Sequence, residues 1–439
     1  MIQKLYINSI QKFIRVESLS GLLLFAATII AILWANSPWA ESYKAILNFK
    51  IGFGSEEGNL IKPLILWIND GLMAIFFFLI GLEIKRELRV GELNSLQKAS
   101  FPLVAAMAGM IFPALIYFAL NSNGETVNGW AIPMATDIAF SLAILKLLGN
   151  RAPLSLKIFL TAFAIVDDLG AVIIIAIFYS GGIQTTMLIS ALLIIAFMAL
   201  LSKYNLFSKY ILLIGGFIVW VLFLKSGIHP TIAGVLLALT VPMSQKIDVQ
   251  SFSQELDNLV SRLKQSENRR DQLLSSEQIE ELDHIHDWMN KVQSPLQNLE
   301  HRLHNYVAYF IIPLFAFANA GIELNVVEQM NLNLVFSIAL ALVLGKSVGI
   351  MLLCTLALKL KITQMPLGIN RQQLLGASLL AGVGFTMSIF IANLAFAHQI
   401  DLLNSAKAGI ILGSIIAGIA GYLVLKRNTK VEFSSLQNT

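Results

Sequence analysis

Long apolar stretches recur along the chain and are separated by short polar connections. A membrane-spanning helix needs about 20 mostly apolar residues, and continuous apolar runs indicate helices rather than the alternating strands of a barrel. The pattern therefore predicts an all-α polytopic membrane protein with about twelve spans. They lie near residues 17–35, 62–82, 100–120, 129–148, 154–178, 185–201, 209–224, 227–243, 305–322, 333–358, 373–396 and 406–425.

The composition agrees with this pattern and excludes other classes of protein. Of the 439 residues, 56% are hydrophobic and 13% are charged, whereas roughly 25% are charged in ordinary soluble domains. A composition this apolar excludes a disordered chain. The chain has one cysteine, Cys354, which excludes a disulfide scaffold. The basic residues are scattered among apolar runs, so we expect the lipid bilayer as a partner and no nucleic acid.

The basic residues also predict the orientation of the spans. Most of the 31 Lys and Arg residues lie in the terminal segments or in the connections after even-numbered spans. Cytoplasmic segments carry the positive excess in membrane proteins. We therefore expect both termini in the cytoplasm. The first apolar stretch is too long for a cleaved signal and counts as span one.

Two polar segments interrupt the spans. Residues 244–300 are highly charged with apolar residues at helical spacing, which predicts a cytoplasmic loop of two amphipathic helices. Spans one to eight then occupy residues 1–243, and spans nine to twelve with a cytoplasmic tail occupy 301–439. The first external connection, near 45–64, alternates around glycines as a β-hairpin does. Because an exposed hairpin edge can pair with a second copy, we expect a homodimer there; the alternative is an ordered loop.

Four ionisable residues lie inside predicted spans: Asp137, Asp167, Asp168 and Lys346. Each costs about 2.5 to 3.5 kcal/mol at the centre of a span, so each is a functional candidate. Three acids against one base leave a negative balance that would attract a cation. Adjacent residues of a helix point about 100° apart, so one neighbouring aspartate can face Asp137 across a cavity while the other pairs with Lys346. The alternative is a purely structural ion cluster.

Backbone interruptions fall near the same charges. Pro133 lies four residues before Asp137 and removes a helical hydrogen bond. Gly382 and Gly384 lie in the middle of the eleventh apolar run. Paired interruptions in the two halves of a transporter are typical of an ion site at the membrane midplane, although glycine also serves helix packing in membranes.

Five strings of residues now carry a resemblance to a known family: TDIAF at 136–140, VDDLG at 166–170, GLEIKREL at 81–88, LFAFANAG at 314–321 and GFTMSIFIA at 384–392. With them, nearly the whole chain outside 244–298 resembles the NhaA family of bacterial sodium–proton antiporters. The resemblance implies inverted-topology repeats, which that family has, and two broken, crossing helices as spans 4 and 11. It also implies a bacterial inner membrane, and no cofactor beyond the transported Na⁺ or Li⁺ and H⁺.

The resemblance further implies roles for the buried residues. Asp168 and Asp137 would belong to the ion site, with Thr136 beside them, and Na⁺ would bind at these three residues. Asp167 would be the partner of Lys346. From the residues alone, Lys346 either carries a proton or only holds the fold by pairing.

A charged cluster at the cytoplasmic end of span two is a further candidate. Glu83 and Glu87 share a helix face at positions i and i+4, with Arg86 between them. The simplest interpretation is a solvated helix end that helps to set the topology. The resemblance adds a pH-response role for these three residues.

Histidines are further candidates for the pH response. The resemblance gives Glu300, His301 and His304 a part in the pH response, and imidazoles titrate in the useful range. After His304 this chain has Asn-Tyr where the family pattern has Pro-Trp, so the turn chemistry differs there. His229, at the external end of span eight, either contributes to the pH response or is a hydrogen-bonded interface residue.

These features predict a function. Carboxylates, a hydroxyl and backbone carbonyls are the oxygen ligands that a hard cation prefers, and the same carboxylates bind protons, so the two ions compete. We expect exchange of cytoplasmic Na⁺, and also Li⁺, for external H⁺, and the resemblance implies that this exchange is electrogenic and pH-regulated. A sodium-coupled solute symporter is the leading alternative and needs a larger polar cavity. An intramembrane aspartyl protease would also use two buried aspartates, but its signatures are absent, so no enzymatic activity is expected.

Overall fold

The computed structural model describes residues 2–52, 60–122, 124–149, 152–204, 206–245, 247–265, 276–322 and 330–427. This part of the chain is almost entirely helical, as the apolar runs predict. Its elements, in chain order, are α1 (Ile2–Ala35), α2 (Ala40–Asn48), β1 (Lys50–Ile51), β2 (Lys62–Pro63), α3 (Leu64–Val90), α4 (Leu96–Leu120), a 3-10 helix (Glu125–Met134), α5 (Ile138–Leu147), α6 (Leu154–Phe178), α7 (Thr185–Lys203), α8 (Lys209–Ser226), α9 (Thr231–Thr240), α10 (Val249–Gln265), α11 (Ser276–Val292), α12 (Pro295–Tyr306), α13 (Ile312–Asn319), α14 (Leu332–Lys359), α15 (Arg371–Ala381), α16 (Phe385–Ala395) and α17 (Ile400–Arg427).

Many of these helices are long and apolar enough to cross a bilayer. Within the described residues, 7 do so unbroken, and 3 further pairs of helices qualify when each bent pair is joined. Two of the bent pairs are the predicted fourth and eleventh spans, which bend by 45° and 41°. The all-α polytopic membrane fold with two broken helices is confirmed. The number twelve and the inverted repeat stay predictions, since at most 10 spans are found within the described residues and α9, with 10 residues, is too short to be one of them.

The helices α7 and α8 carry much of the outward apolar surface. Leu193, Leu213 and Phe217 have large exposed fractions there. In a polytopic membrane protein, apolar side chains on the outside of the bundle contact lipid, because no water is present at that depth. The exposed face of this helix pair is therefore a lipid-facing surface.

The hairpin between α2 and α3 is shorter than predicted. β1 and β2 pair antiparallel, with Lys50 opposite Pro63 and Ile51 opposite Lys62, and residues 53–59 between them lie outside the described part of the chain. The prediction was wrong for residues 45–48, which belong to α2. Tyr43 and Leu47, one turn apart on α2, are both buried, and burial of a helical face outweighs a strand-like alternation in the sequence.

The charged segment contains helices, and its end differs from the prediction. α10 and α11 lie within residues 244–300 and contact each other; residues 266–275, like the tail at 428–439, lie outside the described part. The predicted boundary at residue 300 falls inside α12, which leads towards span nine. The Ser294 hydroxyl accepts a hydrogen bond from the Gln297 N–H and starts this helix with a capping box.

Candidate functional site

The two broken spans meet at their breaks. The Asp137 N–H donates to the carbonyl oxygen of Val383 at 2.7 Å, and the Thr136 hydroxyl donates to that of Ala381 at 2.9 Å. In return, the Ser388 hydroxyl donates to the carbonyl oxygen of Ile132 at 2.8 Å. A break in a membrane helix frees backbone groups that need partners. Each broken span therefore supplies partners to the other.

Glycine and proline make this crossing possible. A Cβ added to Gly382 would lie 2.5 Å from the carbonyl oxygen of Leu342, and one added to Gly384 would lie 2.8 Å from that of Ala135. Real side-chain carbons do not approach so closely, so both positions need glycine. Pro133 is buried in the 3-10 helix before the break, and it has no N–H that would need a partner there.

Asp137 caps the second half of span four and also binds the second half of span eleven. Its Oδ1 accepts a hydrogen bond from the Phe140 N–H at 3.0 Å. Its Oδ2 accepts from the Thr386 N–H at 3.1 Å and from the Thr386 hydroxyl at 2.6 Å. The N-termini of α5 and α16, which carry partial positive charge, therefore meet at one carboxylate.

Asp167 and Lys346 form a buried ion pair. The Lys346 Nζ lies 2.8 Å from Asp167 Oδ2, and both side chains have an exposed fraction of 0%. The same nitrogen donates to the Thr136 hydroxyl oxygen at 2.6 Å. A charge-assisted bond of this length offsets part of the cost of burying two charges. One of the three aspartates is thus neutralised by the only base among the four predicted intramembrane charges.

Asp168 faces the other way. Together with Asp137, Thr136, Thr386 and Glu83 it lines a cavity of about 50 Å³ whose other walls are mostly apolar. Within the described residues its Oδ1 is buried without a hydrogen-bond partner. The division of roles predicted for the adjacent aspartates is the one observed, because Asp168 shares a cavity with Asp137 while Asp167 pairs with Lys346.

The charged cluster of Glu83, Arg86 and Glu87 connects spans two and nine. The Arg86 guanidinium lies 2.8 Å from Glu87 Oε1 and 2.8 Å from Glu300 Oε1. The His304 Nδ1 lies 3.6 Å from Glu83 Oε1. Because Glu83 also lines the cavity of Asp168, the cluster adjoins the candidate ion site.

Glu300 is a member of this cluster whose pKa is shifted by its surroundings. It lies on α12, outside the spans, and burial raises its pKa to about 7, although the Arg86 guanidinium opposes the rise. Between its usual pKa and 7, the folded protein therefore holds a proton on Glu300 that a solvated glutamate would release. As the pH rises through 7, the carboxylate ionises, this contribution to stability is lost, and the carboxylate becomes a full partner for Arg86.

The two remaining predicted pH-response residues are His301 and His229. His301 is exposed on α12. His229 is close to the beginning of span two: its Nδ1 shares a hydrogen bond of 2.8 Å with the Thr231 hydroxyl, and its Nε2 lies 3.8 Å from Asp70 Oδ1. Asp70 and Glu83 lie near opposite ends of α3, about 20 Å apart along a helix. The structure therefore does not bring His229 to the charged cluster.

The sequence did not single out Thr386, which holds Asp137 and lines the cavity. Its place two positions after Gly384 in an apolar run was not by itself enough to identify it. Three buried or half-buried amides were also missed. The Asn319 Nδ2 donates to Asn69 Oδ1 at 2.7 Å, and Asn393 Nδ2 donates to Asn319 Oδ1 at 2.8 Å, so spans two, nine and eleven are also joined at a second polar centre.

Comparisons with known proteins all point to one family. Residues 11–425 match the family described as Na+/H+ antiporter 1. A Na(+)/H(+) antiporter NhaA of Parabacteroides distasonis is 46% identical over 421 residues, which cover 93% of this chain and 93% of the relative. A protein of the same name from Helicobacter pylori strain P12 is 46% identical and covers 95% of each chain. A Na(+)/H(+) antiporter NhaA 1 of Saccharophagus degradans is 41% identical, covering 95% of this chain and 91% of the relative.

Proposed function

The chain belongs to the NhaA family of Na⁺/H⁺ antiporters, which are transporters and not enzymes, and we propose that it expels cytoplasmic Na⁺, and also Li⁺, in exchange for external H⁺. Asp168 and Asp137 are the carboxylates that bind the ion, and Thr136 forms part of the same wall. We propose that it uses no cofactor and that the ions it binds are the ones it transports.

The observation that carries this proposal is the small cavity with unequal carboxylates. Asp137 has three protein donors on its oxygens, whereas Asp168 has an oxygen without a protein partner in the described part of the chain. A volume of about 50 Å³ holds an ion with one or two waters. Asp168 is therefore the carboxylate that can take either a proton or Na⁺.

Exchange follows from competition for this carboxylate. The electrostatic neighbours of Asp168 include Asp167, Asp137 and Glu83, so its charged form is costly when nothing is bound. If only the protonated and the Na⁺-loaded forms reorient across the membrane, each ion can move only in exchange for the other. This is the condition for antiport without a leak.

A solute symporter does not suit the same cavity. Small-molecule sites have volumes of about 300 to 1,000 Å³, which is several times the volume beside Asp168. A larger cavity of about 850 Å³ lies where α4 ends and α17 begins, beside Asn121, Glu125 and Asp401. None of the four intramembrane charges lines it. We therefore favour the antiporter over the symporter.

Vesicle measurements test this function. Membrane vesicles that contain the protein and a pH-sensitive dye should show H⁺ movement when Na⁺ or Li⁺ is added and none when K⁺ is added. An equal response to K⁺ would contradict a cation site built for small hard ions. Dependence of the response on an added organic solute would favour the symporter instead.

We also propose that the exchange is electrogenic. More than one H⁺ per Na⁺ requires a second proton-binding group besides Asp168. Lys346 is our candidate, since its ammonium is fully buried and donates hydrogen bonds to Asp167 and Thr136, and a buried lysine changes protonation more readily than a solvated one.

The pH response is proposed to depend on Glu300. Glu300→Gln keeps the neutral form at every pH, so its bond to Arg86 no longer strengthens as the pH rises through 7. That bond is worth roughly 1.5 kcal/mol in its charged form, which corresponds to about one pH unit. We therefore expect the midpoint of the activity–pH curve in vesicles to shift by about one pH unit.

A matched control for this prediction is Glu255→Gln, which makes the same change at a site in the charged loop. The maximal rate of Glu300→Gln should stay close to that of the unaltered protein. An activity–pH curve identical to that of the unaltered protein would remove Glu300 from the pH response.

We propose a bacterial inner membrane location with both termini cytoplasmic, and a homodimer through the free edge of the β1–β2 sheet. Within the described residues this sheet has only two strands, so each strand has an outer side on which a strand of a second copy could pair. A cysteine placed at Ile51, in a Cys354→Ser background, should cross-link two copies in membranes. Cross-linking no stronger than that of a cysteine at the exposed Leu213 would argue against this interface.

A further inference from the structure

We infer that Thr386 supplies a hydroxyl ligand to the transported ion and fixes the carboxylate of Asp137 beside it. This inference rests on the proposed function of the cavity. It adds a residue that neither the intramembrane charges nor the interruptions in the sequence identify.

Thr386 holds Asp137 at two points. Its N–H and its hydroxyl both donate to Asp137 Oδ2, at 3.1 Å and 2.6 Å. The residue is the second of α16, directly after the break at Gly384, where backbone N–H groups have no helical partner. The same bonds join the second halves of spans four and eleven. The position of the Asp137 carboxylate therefore depends on Thr386.

The Thr386 hydroxyl also has capacity for an ion. A hydroxyl has one donor hydrogen and two acceptor lone pairs, and the hydrogen is committed to Asp137. Thr386 lines the same cavity as Asp137 and Asp168. The Thr386 oxygen therefore has lone pairs available beside the Asp137 carboxylate, on a cavity that Asp168 also lines, and such an oxygen is the kind of ligand that Na⁺ takes.

The second hydroxyl on the cavity wall is in a less favourable position. The Thr136 oxygen accepts a hydrogen bond from Lys346 Nζ at 2.6 Å, and its hydrogen is donated to the Ala381 carbonyl. One lone pair remains, and it lies next to an ammonium group that repels a cation. Thr386 instead lies next to a carboxylate, which attracts one. The electrostatic surroundings therefore favour Thr386 as a ligand over Thr136.

The test compares Thr386→Val, which removes the hydroxyl and keeps the branched shape, with Thr386→Ser, which keeps the hydroxyl. A bond to a charged group of about 1.5 to 3 kcal/mol corresponds to a change of roughly 10- to 100-fold. We expect Thr386→Val to raise the Na⁺ concentration for half-maximal H⁺ flux by at least about tenfold. Thr386→Ser should stay near the unaltered protein.

Thr28→Val is the matched control. Thr28 and Thr386 have similar exposed fractions, 7% and 8%, but the Thr28 hydroxyl donates only to the Leu24 carbonyl of its own helix. This variant should leave half-saturation unchanged. If Thr386→Val does not accumulate in membranes, Thr386→Cys replaces the oxygen by sulfur and serves the same comparison.

Two results would overturn the inference. One is an unchanged half-saturating Na⁺ concentration in Thr386→Val with a reduced maximal rate, which indicates a structural role only. The other is equal impairment in Thr386→Ser and Thr386→Val. The rise of the thermal unfolding midpoint on adding NaCl reports binding without transport. If the unaltered protein shows this rise but no Na⁺-dependent H⁺ flux, the proposed exchange is wrong. The role of Thr386 in Na⁺ binding can then still be tested by comparing the rise in Thr386→Val with that in the unaltered protein.

Discussion

Asp168→Asn should abolish Na⁺-dependent H⁺ movement and leave the protein folded. Asparagine has nearly the same shape but can neither release a proton nor supply a negative charge to Na⁺. Loss of one carboxylate from a buried cation site costs about 3 kcal/mol or more, which is roughly 100-fold in apparent Na⁺ affinity. We expect the flux measured in vesicles to fall to the background level.

The stability of this variant should move in the opposite direction. Asp168 is surrounded by the carboxylates of Asp167, Asp137 and Glu83, and replacing it by a neutral amide relieves that repulsion. The thermal unfolding midpoint of Asp168→Asn in detergent should therefore equal or exceed that of the unaltered protein. Asp401→Asn, the same change at an exposed site, controls for the chemistry of the substitution. Flux above about half of normal in Asp168→Asn would contradict the proposed role.

Breaking the buried ion pair should have the largest effect on stability. Lys346→Met leaves the Asp167 carboxylate buried without its positive partner, and removal of one member of such a pair typically costs about 3 to 5 kcal/mol. We expect a clear fall in the thermal unfolding midpoint. The double variant Asp167→Asn with Lys346→Gln is neutral and retains a hydrogen-bonding pair, so most of that loss should be recovered.

The same double variant tests the second proton. If Lys346 carries it, the number of H⁺ exchanged per Na⁺ should fall to one, and the exchange should lose its dependence on membrane potential. An unchanged ratio in a stable double variant would leave Lys346 with a structural role alone. Single variants cannot make this distinction, because their loss of folded protein lowers every rate at once.

The membrane fold and much of the site follow from simple features of the sequence. Apolar runs long enough to cross a bilayer predict the helices, and the cost of burying charge identifies Asp137, Asp167, Asp168 and Lys346. The angle between adjacent helical residues predicts that Asp167 and Asp168 face different partners, and they do. These predictions succeed because each depends on a large energy or on a fixed geometry.

Other features depend on contacts between residues far apart in the chain. Residues 45–48 alternate as a strand would, but the neighbouring Tyr43 donates a hydrogen bond to the Phe317 carbonyl at 2.6 Å, and α2 forms to bury this face. Thr386 could not be ranked above other hydroxyl residues until the crossing of spans four and eleven placed it beside Asp137. Local sequence patterns contain no information about either contact.

The central claim is that Na⁺ and H⁺ compete for the carboxylate of Asp168. The most direct measurement is the half-saturating Na⁺ concentration as a function of pH, determined in vesicles with equal pH on both sides. Competition by a single proton predicts a rise of roughly tenfold for each unit of pH decrease on the acid side, by linkage of the two ligands. A half-saturating concentration that does not depend on pH, while only the maximal rate changes, would contradict a shared site.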